Sequence, residues 1–544
     1  MKRQIKSTTN LQNKRRMLFF LVCFFLVTIA LVVRLGYIQL IKGEEYRKQA
    51  MENWSRDITI SAKRGTIYDA RGKKLGVSVN SNTVTCFPAD VKKGDPASNE
   101  NTESESGRSG GLLTMILKKM NNSMFDSDKS GTAGSIPANS RTPEETAKIL
   151  SEILEIDYET VLEKITSNSS YVVLKKWITD EQAQKIREQE LSGINVVEDN
   201  KRVYPYGHFA PYILGFTNVD QDGLYGVEAT YNDYLTGIPG RAVFNKDAHG
   251  RELPFGYNEY YEPQDGEGVV LTLDEVIQHY AESAASKVLK DYNAKRATII
   301  VMDPNNGDIL AMTSKPDYDP NNPKEAIDEE TKQEWSSMTD EEVQKAWFDT
   351  WRNPAVNDIY EPGSTFKLLT TSIALEENKA NLNSTYYCDG YVRQIPGQTI
   401  KCWRYYRPHG QQTLSEAIQN SCNDALAQIG LDIGKDLFYK YLKSFGLGEK
   451  SNIMLNGEAS GLVKNPANMK DVDVVTQAFG QGVALTPIQL TTAVSAIVNG
   501  GNLMQLRIVK QLVDEDGNIK RNFEPVVRRR VISEETSKIM LSIM

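Results

Sequence analysis

The feature that most constrains this chain stands at its start. Residues 1–16 carry Lys2, Arg3, Lys6, Lys14, Arg15 and Arg16 with no acid, and the apolar run MLFFLVCFFLVTIALVV follows from Met17 to Val33. A helix of that length rises roughly 25 Å, a little short of a bilayer core. Leu35–Ile41 lengthens the apolar stretch, and Arg34 can snorkel to the headgroups. The six cations hold the N-terminus on the cytoplasmic side, and no small-x-small cleavage site follows. The expectation is a basic tail (1–16), an uncleaved single-pass anchor (17–41) and an extracytoplasmic remainder at the cell membrane.

At 544 residues, the chain is long enough for two or three domains. A net charge of -8 leaves no basic surface for nucleic acid. Five cysteines are too few for a disulfide scaffold, and none shows zinc-like spacing with another Cys or His, so the expectation is no metal. Four histidines argue against a Ser-His-Asp triad.

Beyond Trp54, RDITISAKRGTIYDARGKKLGVSV alternates as strands do and places a hairpin turn at Ala70-Arg71-Gly72. A stretch rich in Ser, Asn and Gly, about 92–143, reads as a low-complexity insertion. Thr142, with Glu145 three residues on, marks a helix start. Two glycine-rich aromatic stretches follow, RVYPYGHFAPYILGF and DGLYGVEATYNDYLTGIPGR. A helix is then predicted over Glu275–Asp291, with Val276, Ile277, Tyr280, Ala284, Ala285 and Val288 as its apolar face. ATIIVMDPNNGDILAMTS gives two strands joined at Asp303–Gly307.

The chemistry concentrates in YEPGSTFK. Pro362 and Gly363 bend the chain ahead of a helix, placing Ser364 in its first turn and Lys367 on the same face one turn later. A serine hydroxyl needs a base at neutral pH, and a desolvated lysine supplies one. Ser-x-x-Lys alone arises by chance roughly twice in a chain this long. A second signal, Ser421-Cys422-Asn423, sits between two helix-like segments, where Ser421 can relay a proton and Asn423 can hold a substrate amide.

The two motifs in this order resemble those of the penicillin-recognising serine transferases. With RGTIYDARGKKL, RVYPYG, GLYGVEATYNDYLTGIPGR, MDPNNGDILAMTSKPDYDPN and FGQGVALTPIQL, the chain is similar throughout to class B penicillin-binding proteins of the division and sporulation type. That resemblance implies an α+β protein: an elongated β-rich pedestal over 42–262, then a transpeptidase domain over 263–544 built as an antiparallel sheet flanked by helices. It implies a D,D-transpeptidase in which Ser364 is acylated by a D-Ala-D-Ala stem peptide or by a β-lactam, with Lys367, Ser421 and Asn423 as catalytic partners. Ser421 and Asn423 also bind substrate. It implies no cofactor, and as partners the lipid-linked precursor and a membrane glycosyltransferase.

The family's third motif, Lys-Thr/Ser-Gly-Thr on a sheet strand, ordinarily follows the LTPIQL helix. Here the sequence stops at IMLSIM first, and Lys129–Thr132 lies in the low-complexity stretch. The expectation is a transpeptidase domain without its C-terminal strands. Losing one oxyanion-hole donor of that strand costs ~10² to 10³ in rate. Two other readings stay open: a β-lactam sensor or β-lactamase relative, and a catalytically silent wall-synthesis scaffold. Cys402 and Cys422 form a candidate redox pair on an oxidising membrane face.

Overall fold

The computed structural model describes residues 55–93, 141–245 and 259–544 except Pro396 and Gln398, with a few isolated positions between Leu21 and Lys42. The basic tail, nearly all of the anchor and most of the insertion, Lys129–Thr132 included, lie outside the described residues. Among the described residues no helix is long and apolar enough to cross a membrane.

Two compact units are present. The smaller holds an antiparallel three-stranded sheet of Ser55–Ile60, Gly240–Asn245 and Glu259–Tyr261. The larger, residues 62–96, 138–238 and 264–544, contains everything described below.

Within the larger unit, Asp69 closes the expected hairpin by accepting the N–H groups of Arg71 and Lys73 on one carboxylate oxygen, while Gly72 takes φ +86°. The hairpin strands Ile67–Tyr68 and Lys74–Cys86 belong to a seven-stranded sheet. Ile67–Tyr68 pairs in parallel with Gly268–Leu271, which pairs with Val509–Val513. On the other side, Lys74–Cys86 pairs with both Val172–Ile178 and Ile194–Val203. Strands from the expected pedestal and from the end of the chain thus share one hydrogen-bonded ladder.

The helix Pro143–Leu154 starts on the expected capping box, Thr142 with Glu145, and buries Ala147, Leu150 and Leu154 against Val84 and Cys86. Glycines at Gly215 and Gly226 let two backbones cross: a Cβ on Gly215 would lie 1.7 Å from the Tyr225 carbonyl oxygen. Near this crossing the three pedestal motifs meet through charge. Glu228, fully buried, accepts from Arg64 Nε at 2.5 Å, Arg202 Nε at 2.6 Å and the Tyr204 hydroxyl at 3.1 Å. Burial alone would raise its pKa, but the two guanidinium groups hold it below the ordinary carboxylate value.

Helix Glu275–Tyr292 forms within one residue of its expected span, but its buried face differs from the expectation. Val276, Tyr280 and Val288 are exposed, Tyr280 by 71%, while Gln278, Ala281 and Ala285 are buried. Small Ala281 and Ala285 admit close packing, and Gln278 is accommodated because its amide exchanges hydrogen bonds with Met312 N and O. The antiparallel pair Ala297–Met302 and Ile309–Lys315 turns at Asp303–Asp308, as the pattern predicted.

Candidate active site

The site is assembled on a helical core. Ser364 lies in a 3₁₀ turn, Gly363–Phe366, that runs directly into the α-helix Lys367–Glu376. Phe366, Leu369 and Ile373 anchor this helix in a core shared with Ala425, Leu426 and Ile429 of the helix Asn423–Ile433. The turn is held from the FGQG segment: Gly363 N–H donates to the Gly480 carbonyl at 3.0 Å, and Glu361 accepts from Gly482 N–H at 2.7 Å. Only glycine fits at 480, since its φ is +85° and a Cβ there would lie 2.0 Å from the Gly363 carbonyl oxygen.

Lys367 is 2% exposed, and its ammonium is enclosed by the second motif. Nζ donates to Asn423 Oδ1 at 2.7 Å, the Ser421 carbonyl at 2.7 Å and Ser421 Oγ at 2.9 Å. Ser421 reaches this position through a left-handed backbone, φ +49°, in the bend between Leu414–Gln419 and Asn423–Ile433. Burial lowers the Lys367 pKa to about 8, against the opposing pull of Cys402 and Cys422.

Three of the four expected residues, Lys367, Ser421 and Asn423, are therefore in direct contact. Ser364 precedes Lys367 by one turn and is exposed; its carbonyl accepts the Lys367 N–H, and its hydroxyl makes no hydrogen bond among the described residues.

Cys402 and Cys422 are also brought together, as free thiols with sulfurs 4.0 Å apart. The contact with Cys422 pulls the Cys402 pKa below the ordinary thiol value, with backbone N–H groups of Arg404, Asn423 and Asp424 assisting, and Cys422 is pushed up in return. The spacing that led to the expectation of no metal does not register a further pair of groups beside these thiols. Cys388 and His409 join the pair, with all four ligand atoms within 4.8 Å of one another. Spacing hides this because four separate pieces of chain supply them. The available signal was density: three of the five cysteines and one of the four histidines fall between residues 388 and 422.

Comparison with known proteins follows this geometry. The penicillin binding protein transpeptidase domain matches residues 297–544, and the penicillin-binding protein dimerisation domain matches residues 59–271. Stage V sporulation protein D of Bacillus subtilis (strain 168) is 33% identical over 97% of this chain and 72% of its own length. The chain belongs to the class B penicillin-binding proteins. This penicillin-binding protein is also 27% identical to the peptidoglycan D,D-transpeptidase FtsI of Escherichia coli (strain K12), over 94% of this chain and 75% of that one. Among solved structures it is similar to a peptidoglycan synthetase from Bifidobacterium adolescentis ATCC 15703, with a TM-score of 0.63 and 25% identity over 90% of this chain and 81% of that one.

Proposed function

We propose that this penicillin-binding protein is a serine D,D-transpeptidase that cross-links peptidoglycan stem peptides. The observation that carries the reading is the enclosure of Lys367 Nζ by Ser421 and Asn423, one helical turn from an exposed Ser364. The neutral lysine takes the Ser364 proton as Oγ attacks the penultimate D-Ala carbonyl. The tetrahedral intermediate collapses as Ser421 gives its proton to the departing D-Ala amine and regains one from the Lys367 ammonium, which leaves an ester on Ser364 and a neutral lysine. An amine from a neighbouring strand attacks that ester, and Ser364 recovers its proton as the new amide forms. Asn423, whose Oδ1 is a lysine partner, holds the donor's amide by hydrogen bonds in this reading. A β-lactam acylates the same hydroxyl.

The resemblance supports the wider setting. The tail at 1–16 and the anchor at 17–41 hold the chain single-pass in the cell membrane, with the pedestal at 42–262 and the transpeptidase domain at 263–544 outside. There it meets the lipid-linked precursor and a membrane glycosyltransferase that polymerises the glycan.

One observation favours a second reading, a wall-synthesis scaffold without turnover: the Ser364 hydroxyl has no hydrogen-bond partner among the described residues. Intact-mass measurement after incubation with a stem peptide ending in D-Ala-D-Ala separates the two. The transpeptidase gains the peptide acyl group less one D-Ala, and the gain disappears in Ser364→Ala. An unchanged mass in the wild-type chain, with no D-Ala released, favours the scaffold.

A further inference from the structure

Beside the proton-transfer groups lies a cluster that the acyl-transfer steps do not use. Cys388 ends the strand Thr385–Cys388, Cys402 and His409 bracket the loop Trp403–Pro408, and Cys422 lies between Ser421 and Asn423. The three cysteines are 0% exposed. Cys402 Sγ is 4.0 Å from Cys422 Sγ and 3.8 Å from His409 Nδ1, with all four ligand atoms within 4.8 Å of one another. In a tetrahedral zinc site, with Zn–S ~2.3 Å and Zn–N ~2.0 Å, neighbouring ligand atoms stand about 3.5 to 3.8 Å apart. The Cys402–Cys422 and Cys402–His409 edges are within a few tenths of an ångström of that.

Two ordinary explanations fail to cover the whole cluster. A disulfide between Cys402 and Cys422 uses two of the four groups and leaves Cys388 and His409 unexplained. Apolar packing suits thiols but not an imidazole, and His409 Nε2 is buried with no hydrogen-bond partner among the described residues. No hydrogen bond to that nitrogen accounts for Nδ1 facing the thiols.

Among the described residues, the segment between Cys388 and Gly410 adds only Val392 and Cys402 to the buried core, with Ile395 and Ile400 packed partly against it. Its regular structure is a pair of two-residue strands, Tyr391–Val392 and Ile400–Lys401, and its large side chains Trp403, Tyr405 and Tyr406 are exposed. Irregular segments of this size are commonly held by a cross-link or a structural metal.

We propose that Cys388, Cys402, His409 and Cys422 form a tetrahedral site for a zinc ion that fastens this loop to the Ser421–Asn423 bend. Three thiolates and one imidazole select a soft-tolerant, tetrahedral ion over magnesium or calcium. Because Cys422 is covalently between the two residues that hold Lys367, the ion fixes the proton relay's backbone while touching no reacting atom. Its role is positional.

The test reads metal, not turnover, so it can fail while the acyl-transfer reading stands, and the reverse. The full chain is purified under reductant, dialysed into zinc-free buffer and assayed for bound metal by inductively coupled plasma mass spectrometry. One zinc per chain is expected. Replacement by Co²⁺ should give the intense visible bands of tetrahedral cobalt and a thiolate-to-cobalt charge-transfer band. Cys388→Ser and His409→Ala should each weaken zinc binding by more than the ~10 to 100-fold that outer-shell changes cost. His409→Cys restores a four-ligand set and should retain the ion, and Cys86→Ser, at a cysteine outside the cluster, should behave as wild type.

Should the ligand variants not fold, a chelator added to wild type decides: the melting temperature should fall and be restored by Zn²⁺ but not by Mg²⁺. Wild type that neither retains nor takes up zinc overturns the proposal. So does zinc retained at full stoichiometry in both Cys388→Ser and His409→Ala, or a melting temperature indifferent to chelation.

Discussion

Replacing Lys367 by arginine separates its two duties, donating hydrogen bonds and accepting a proton. In the structure the lysine is 2% exposed and donates to Ser421 and Asn423, and burial lowers its pKa to about 8. Only the neutral amine can accept the Ser364 proton. With a pKa of about 8, roughly one-tenth of the lysine is neutral at pH 7, and the fraction changes tenfold per pH unit below that. Acylation by benzylpenicillin, followed as a second-order rate by stopped-flow fluorescence, should therefore rise with unit slope and level off above about pH 8. Arginine keeps the charge and donors but is not deprotonated in proteins. Lys367→Arg should lose the ~10² to 10⁴-fold that a general base contributes, and its residual rate should show no rise near pH 8. A wild-type profile that is level from about pH 6 to 9, or a Lys367→Arg rate within about threefold of wild type, would refute lysine as the base.

Three further perturbations follow from the geometry. Glu228→Gln leaves Arg64 and Arg202 buried without their counter-charge and should cost about 3–5 kcal/mol, seen as a lower denaturation midpoint; a midpoint equal to wild type would contradict the buried cluster. Gly480→Ala forces a Cβ to within 2.0 Å of the Gly363 carbonyl oxygen and displaces the Ser364 turn, so penicillin acylation should fall at least ~10-fold with circular dichroism retained. Tyr280→Ser, on the exposed face of Glu275–Tyr292, should change stability by less than about 0.5 kcal/mol in urea titration, whereas Gln278→Leu, which strands Met312 N–H, should cost about 1–3 kcal/mol.

What could be read from the sequence was local. Ser364 and Lys367 are three residues apart, so one helical turn fixes their relation, and Ser421 and Asn423 share one bend. The Thr142–Glu145 capping box and the Ala70–Gly72 turn were legible for the same reason: each is decided within four residues. The errors arose where distant segments decide. Of the apolar face expected on helix Glu275–Tyr292, Ala285 is buried but Val276, Tyr280, Ala284 and Val288 are exposed, because the partner strand Ile309–Lys315 accepts the side with Ala281, Ala285 and a hydrogen-bonded Gln278. Arg64, Arg202 and Glu228 stood in motifs recognised as a pattern, yet nothing in the pattern said that their charges meet in the interior. The Cys388, Cys402, His409 and Cys422 cluster was invisible to spacing rules, because those rules assume that ligands arrive in pairs from one turn. The parallel pairing of Ile67–Tyr68 with Gly268–Leu271 likewise crosses the boundary that the resemblance places between pedestal and transpeptidase domain.

The central claim is that Ser364 is the nucleophile. Its most direct test is labelling with a fluorescent penicillin, resolved by denaturing electrophoresis, on the folded wild-type chain and on Ser364→Ala. The account predicts a covalent label on the wild type, mapped by peptide mass spectrometry to the YEPGSTFK peptide, and none on Ser364→Ala. A wild-type chain that takes no label, or a Ser364→Ala chain that takes as much, would contradict it.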